Sequence, residues 1–325
     1  SCSRPRSKCP TPPRYAPSAP SSTISSWTCL HACLSSPIPK QQWSVCNLVR
    51  AAKSFASWWT NSKRHCLIFR QPNHYGRLTR PVAQFLLARL ALNAEVYMDD
   101  DWTDSARPNG ASIRFAVGEK SLNAWQTVVA YTDSLAASGY ALEPSYAANF
   151  AVANEHSQEN IFTIPMDKTL YANSFKNLFR TLHYIHGGAL ARGAENGSSA
   201  TRTTLTAFGY ATPAQDPRFA LNFFADTVKV DGRTLKQADG EALVYRPEAI
   251  RLQLTGSEYE KTAGARMYKY EIDRTAYDDG KLQNNDIVLY RYADALLMRA
   301  EAQIRQGASG DAALNVVRTR VGLPA

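Results

Sequence analysis

The clearest hydrophobic pattern lies at the C-terminal end of the chain. Ala293, Leu296, Leu297, Ala300 and Ile304 recur at three, four and seven positions, which predicts one apolar stripe on a helix. Glu301 and Arg305 stand four apart on that helix, in the favourable order for an ion pair. Gly307 and Gly310 interrupt the pattern. It resumes from about Asp311, with Ala313, Leu314, Val317 and Val321 on one face, and Gly322 and Pro324 stop it. Helix, short break, helix is the plan of one tetratricopeptide-like unit. Upstream, Thr79 as cap and Pro81 just inside predict a helix start, and Val82 to Tyr97 is apolar on most sides. Arg89 and Asn93 stack on it at i, i+4. Such a helix belongs inside a bundle. A second apolar helix is expected over about 121–137, capped by Ser121 and closed by Gly139 in the left-handed region. Met98 to Gly118 between them reads as a polar loop, so the two form a helical hairpin. Asn160 to Met166 and Met267 to Ile272 read as short strands, 219–228 has strand character, and 187–204 is a Gly-, Ser- and Thr-rich loop. No run of about 18 apolar residues occurs, so no transmembrane helix is expected.

Residues 1–72 break this texture. Eight prolines between Pro5 and Pro39 interrupt helix and sheet ladders alike. Charge sharpens the division. The chain carries 37 Lys and Arg against 28 Asp and Glu, yet the first acidic residue is Glu95. Thirteen of the basic residues precede it, so 1–94 is +13 and 95–325, with 24 basic against 28 acidic residues, is −4. All six cysteines lie in 1–66, which leaves the bulk without a disulfide framework. Two readings fit 4–72. One is a basic disordered arm; the other, which the composition favours, is a stretch read in a wrong frame and never selected to fold. On this reading the chain divides into an atypical segment, 1–72, and a helical domain, 73–325.

The motifs of the second part resemble those of the SusD/RagB family of bacterial outer-membrane nutrient-binding lipoproteins. Asn285 to Ala302 (NDIVLYRYADALLMRAEA) is similar to the family's "RYADvLLMyAEA" helix. Ala313 to Pro324 is similar to "AlnaiN.vR.RaGLp". Gly76-Arg77 through Tyr97 resembles "GRaTkgaAyaLlAklyLnaevY", and Asn154 to Ile164 and Asp216-Pro217-Arg218 are weaker matches in the same order. The family's usual continuation, a helical segment with an "ER..EL.fEG.R..DL.R" pattern, lies beyond the Gly-Leu-Pro at which the sequence stops. The resemblance therefore implies a C-terminally incomplete copy. Residues 4–72 do not resemble the family, whereas Ser1-Cys2-Ser3 resembles the mature lipoprotein start, in which the Cys is diacylated.

The resemblance implies a mainly α fold: tetratricopeptide-like helix pairs, irregular loops and a few short strands. It implies capture of glycans or oligosaccharides at the cell surface and delivery to a TonB-dependent transporter of the SusC type. A lipid on Cys2 would hold the protein to the outer membrane. No bond is made or broken in such a role, no cofactor is implied, and neither a G-x-S-x-G nor an H-E-x-x-H pattern supports an enzyme. Two other classes stay open: a helical-repeat scaffold that docks on the transporter with little ligand affinity of its own, and a nucleic-acid binder using the +13 arm. The acidic balance of 95–325 argues against nucleic acid.

Sugar rings present apolar C–H faces and hydroxyl edges, so their sites combine aromatic rings with amide and charged groups. Trp102, in an acidic loop, is the first candidate against packing over the 82–97 helix. His183, Tyr184 and Asn196 are the others, set against structural roles and, for Asn196-Gly197, a turn. Asp99, Asp100, Asp101 and Asp104 lack the spacing of a calcium loop and read as solvated charge. His183 with His186, and Cys29-x-His31-x-Cys33, each lack the further ligand a metal needs.

Overall fold

A computed structural model describes Thr60 and residues 76–101, 103–170, 180–190, 193–276 and 283–325, all within the unit Leu48–Ala325. Cys2, Trp102 and, Thr60 aside, the segment 4–72 lie outside the described residues.

Helix α1 (Arg80–Leu92) starts where Thr79 and Pro81 predict, but the Thr79 hydroxyl makes no capping bond. Val82, Phe85, Leu87, Ala88 and Ala91 are almost fully buried, so the helix is enclosed as its all-round apolar character requires. It is shorter than the pattern suggests. The Asn93 amide donates to the Arg89 carbonyl at 2.9 Å and interrupts the helix, which resumes as α2 (Ala94–Met98). A side chain that competes locally for backbone groups suits a helix end better than its middle. The expected polar loop contains a hairpin, β1 (Arg114–Val117) with β2 (Lys120–Asn123). Ser121 is therefore a strand residue, not a cap. Asn123 caps α3 (Ala124–Ala137) instead: its Oδ1 accepts from Gln126 N–H at 2.8 Å, and Gln126 Oε1 accepts from Asn123 N–H at 3.0 Å. Gly139 follows with φ +91°, the left-handed residue the sequence predicts.

Strand β3 (Asn160–Ile164) forms as expected, and pairs antiparallel with β10 (Ile287–Arg291), more than a hundred residues away in sequence. β10 runs directly into α7 (Tyr292–Arg305), followed after Gly307 and Gly310 by α8 (Asp311–Arg320). Helix α1 packs on α3, both pack on α7, and α7 packs on α8. Their shared core includes Phe85, Leu87, Trp125, Val128, Leu135 and Ala295. Each large apolar side chain buried here contributes about 1.5–3 kcal/mol.

The middle of the chain is irregular. It holds short helices α4 (Tyr184–Ala189), α5 (Arg202–Ala207) and α6 (Arg218–Asn222). Two-residue ladders join β4 (Phe223–Phe224) to β9 (Arg266–Met267), β5 (Asp226–Thr227) to β8 (Val244–Tyr245), and β6 (Lys229–Val230) to β7 (Arg233–Thr234). Three expectations change here. The 187–204 loop is bordered by α4 and α5, the 219–228 run begins as a helix, and the 267–272 strand shrinks to β9. Asp216 accepts from Arg218 N–H at 2.8 Å and sets the first turn of α6. A short apolar run shows burial but not period, so it cannot separate a helical turn from a strand. The fold is mainly helical with short strands.

Candidate functional site

Three of the residues singled out in the sequence come together. His183 caps α4, its Nδ1 accepting from Ile185 N–H at 3.2 Å, while its backbone N–H donates to the Tyr245 hydroxyl at 2.8 Å. Asn196 runs beside it, its N–H donating to the Leu182 carbonyl at 2.9 Å. Asn196 takes φ +51°, the turn conformation that Asn tolerates, and its Oδ1 is buried without a partner among the described residues. Of the three, only Tyr184 is open to solvent, at 55% exposure.

His183 instead faces a buried polar cluster. The Tyr245 hydroxyl also lies 3.0 Å from His186 Nδ1, and the Phe224 ring stands edge-on to His186 at 4.7 Å. Burial, reinforced by nearby His183, brings the His186 pKa down to about 4, so it is neutral near pH 7. Burial also lowers the His183 pKa, as do the charges of Arg266 and Lys261. Arg266 is buried, and among the described residues no carboxylate pairs with it. Its guanidinium donates to Ser199 Oγ at 2.9 Å and the Lys261 carbonyl at 2.8 Å, and stacks over the Tyr245 ring.

The described part of the acidic loop satisfies itself. Asp101 accepts from the backbone and hydroxyl of Thr103, Asp104 accepts from Ala106 N–H, and Arg107 lies 3.6 Å from Asp99.

A cleft of about 380 Å³ opens elsewhere, between the lead-in to α1, the end of α3 and the start of β3. Its wall carries Thr79, Tyr140, Asn160 and Phe162, with Arg77 and Gln158 among the rim residues. Tyr140 and Phe162 are half-buried rings that pack against the helical core. Burial holds the Tyr140 phenol above its ordinary pKa, so it is a neutral hydroxyl at any physiological pH. Sequence patterns do not mark this cleft, because its residues come from segments that meet only in the fold. Arg77 and Thr79 fall in the 76–97 motif and Gln158, Asn160 and Phe162 in the 154–164 motif, but there they read as helix start and strand, not as one site.

Next to the cleft the motifs have a structural use. Glu159, fully buried, pairs with Arg291 at 2.9 Å and Arg320 at 2.7 Å, and accepts from Asn149 Nδ2 and Glu143 N–H. Asn154 bonds Asp286 through both backbone groups of that residue, and the Asp286 carboxylate accepts from Thr163 Oγ1 and Met166 N–H. These contacts tie the segment around β3 to β10 and α8.

No curated protein matches the sequence. Among solved structures, surface glycan-binding protein A from Bacteroides uniformis is similar in fold, with TM-score 0.53 and 18% identity over 84% of this chain and 50% of that one. Surface glycan-binding protein A from Bacteroides thetaiotaomicron gives TM-score 0.53 and 17% identity over 83% and 54%. A SusD superfamily protein from Parabacteroides distasonis gives 0.50 and 20% over 78% and 47%. The chain thus spans about half the length of these structures. A model of the SusD family matches residues 95–325. With both helix pairs and the strand pair between them in place, that match over most of the sequence shows that the chain belongs to the SusD family.

Proposed function

We propose that this protein captures glycans or oligosaccharides at the cell surface and passes them to a TonB-dependent transporter of the SusC type, without chemistry of its own. The observation that carries this reading is the family match over residues 95–325. Two similar folds bear the name of surface glycan-binding proteins, which supports the same ligand class. A diacylated Cys2 would supply the membrane attachment, since among the described residues no helix is long and apolar enough to cross a membrane. The exposed ring of Tyr184, and Trp102 within the acidic loop, are the proposed ligand platforms.

The test is retention of the full chain on a panel of polysaccharides. Saturable binding that Trp102→Ala or Tyr184→Ala weakens supports the reading; no retention on any member of the panel overturns it. Co-purification of the transporter with the full chain checks the handover step, and loss of membrane association on Cys2→Ser checks the anchor.

A further inference from the structure

We propose that the cleft between the α1 lead-in, the end of α3 and β3 is a separate saccharide subsite, sized for one or two sugar rings of a neutral glycan. The inference rests on the glycan-binding reading above and adds to it a place and a ligand class. Size is the first argument: about 380 Å³ is at the small end of small-molecule sites, which span about 300–1,000 Å³. The wall chemistry is the second. Tyr140 and Phe162 give half-buried aromatic surface, and the rim gives an amide, Gln158, and a guanidinium, Arg77. Apolar ring beside polar edge is the pairing a pyranose presents. Charge is the third. The lining carries one guanidinium, Arg77, and one carboxylate, Glu155, which lies beside His156, so no cluster of cations is there to demand a phosphate or carboxylate.

The fourth argument comes from unmet hydrogen bonds. Thr79 Oγ1 and Asn160 Oδ1 both belong to the cleft wall, and both are buried without a partner among the described residues. Thr79 occupies a cap position, yet its hydroxyl does not cap. The Asn160 amide is oriented by its Nδ2, which donates to the Asn149 carbonyl at 3.2 Å, so Oδ1 stays on the other side as an acceptor. Buried polar atoms left unpaired are costly and rare in native proteins. Neither oxygen has surface open to solvent, so a hydroxyl donor in the cleft meets them only where the Thr79 and Asn160 side chains turn toward it. The walls are also held in advance: Thr79 leads α1, Tyr140 follows α3, and Asn160 and Phe162 sit in a strand paired to β10. Little ordering is then left to oppose binding.

The experiment uses the full chain with methyl α- and β-glycosides of glucose, galactose and mannose, together with maltose and cellobiose, followed by saturation-transfer difference NMR. The polysaccharide panel is run in parallel. Gln158→Trp places an indole across the cleft, and Arg77→Ala removes the rim guanidinium; both positions are exposed. The expected result is binding of at least one small saccharide, abolished by Gln158→Trp and weakened about tenfold by Arg77→Ala, the scale of one charge-assisted hydrogen bond. Retention of a polysaccharide, with small saccharides either unbound or bound equally by both variants, overturns the cleft and leaves the broader function standing. No saccharide binding of any kind overturns both. If Gln158→Trp lowers the melting temperature, Arg77→Ala decides.

Discussion

Glu159 illustrates how much rests on single side chains. Its carboxylate is wholly buried and answers two guanidiniums, an amide and a backbone N–H. Arg291 and Arg320 also lie over the Tyr146 ring, so they are fixed on both sides. Removing one partner of a buried pair leaves uncompensated charge, which typically costs about 3–5 kcal/mol. Glu159→Gln is therefore expected to lower unfolding free energy by about that amount in urea titration; a loss below about 1 kcal/mol would show that the arginines find other partners. His186 makes the corresponding pH prediction. Its folded pKa of about 4 lies below the ordinary histidine value, so the unfolded chain takes up its proton first as pH falls. The stability associated with neutral His186 is fully present above pH ~6.5 and is lost as pH falls toward 4, by roughly 3 kcal/mol at the limit. In His186→Gln the slope of stability against pH between about 6.5 and 4.5 should flatten. His183, Arg266 and Lys261 face the same cluster, and the slope left in the variant reports the shifted His183.

At the scale of elements, helix ends and helix crossings respond differently to substitution. α3 is started by a reciprocal cap, and Asn123→Ala removes the half of it that the Asn123 side chain accepts, which should cost about 1 kcal/mol. The α7–α8 crossing is tighter. A Cβ on Gly310 would stand 2.6 Å from the Ala300 carbonyl oxygen, a backbone atom that cannot swing aside. Gly310→Ala is expected to cost about 1–3 kcal/mol, through displacement of α8 rather than through propensity. Thermal melts of both variants check the order: the glycine change should be the more damaging, although alanine is the better helix former. The same contact explains why the sequence reads Gly310 correctly as a break but says nothing of its closeness to α7.

Across the whole molecule, burial is uneven. α1, α3 and α7 share one contiguous core, whereas the middle of the chain is held by small clusters such as Leu182, Leu190 and Val230. Opening a small cluster exposes little apolar surface, so it needs less free energy than global unfolding. Hydrogen exchange should accordingly find the amides of Leu87, Val128 and Leu135 protected to the global limit, and those of β5, β6 and β7 released by smaller openings. Equal protection in the two regions would mean that the chain unfolds as one unit.

The sequence by itself determined α3, α7 and α8, whose apolar stripes exceed two turns, because a 3.6-residue period accumulates with length; α1 it marked by Pro81 at the helix start and by apolar residues on most sides. It also determined β3, the Glu301–Arg305 pair and Gly139 as a helix stop, all of which depend on neighbours in the chain. Its motifs were sufficient for the family. Tertiary structure alone decided where those motifs meet. Asn154, Glu159, Asp286, Arg291 and Arg320 form one buried polar assembly, and no local rule pairs residues up to 161 positions apart. It likewise decided that His183 is buried while Tyr184 stays in solvent, because Tyr245, whose hydroxyl receives the His183 backbone N–H, arrives from a distant strand. The cleft belongs to this second class: its walls are three separate segments, made neighbours by the packing of α1, α3 and β3.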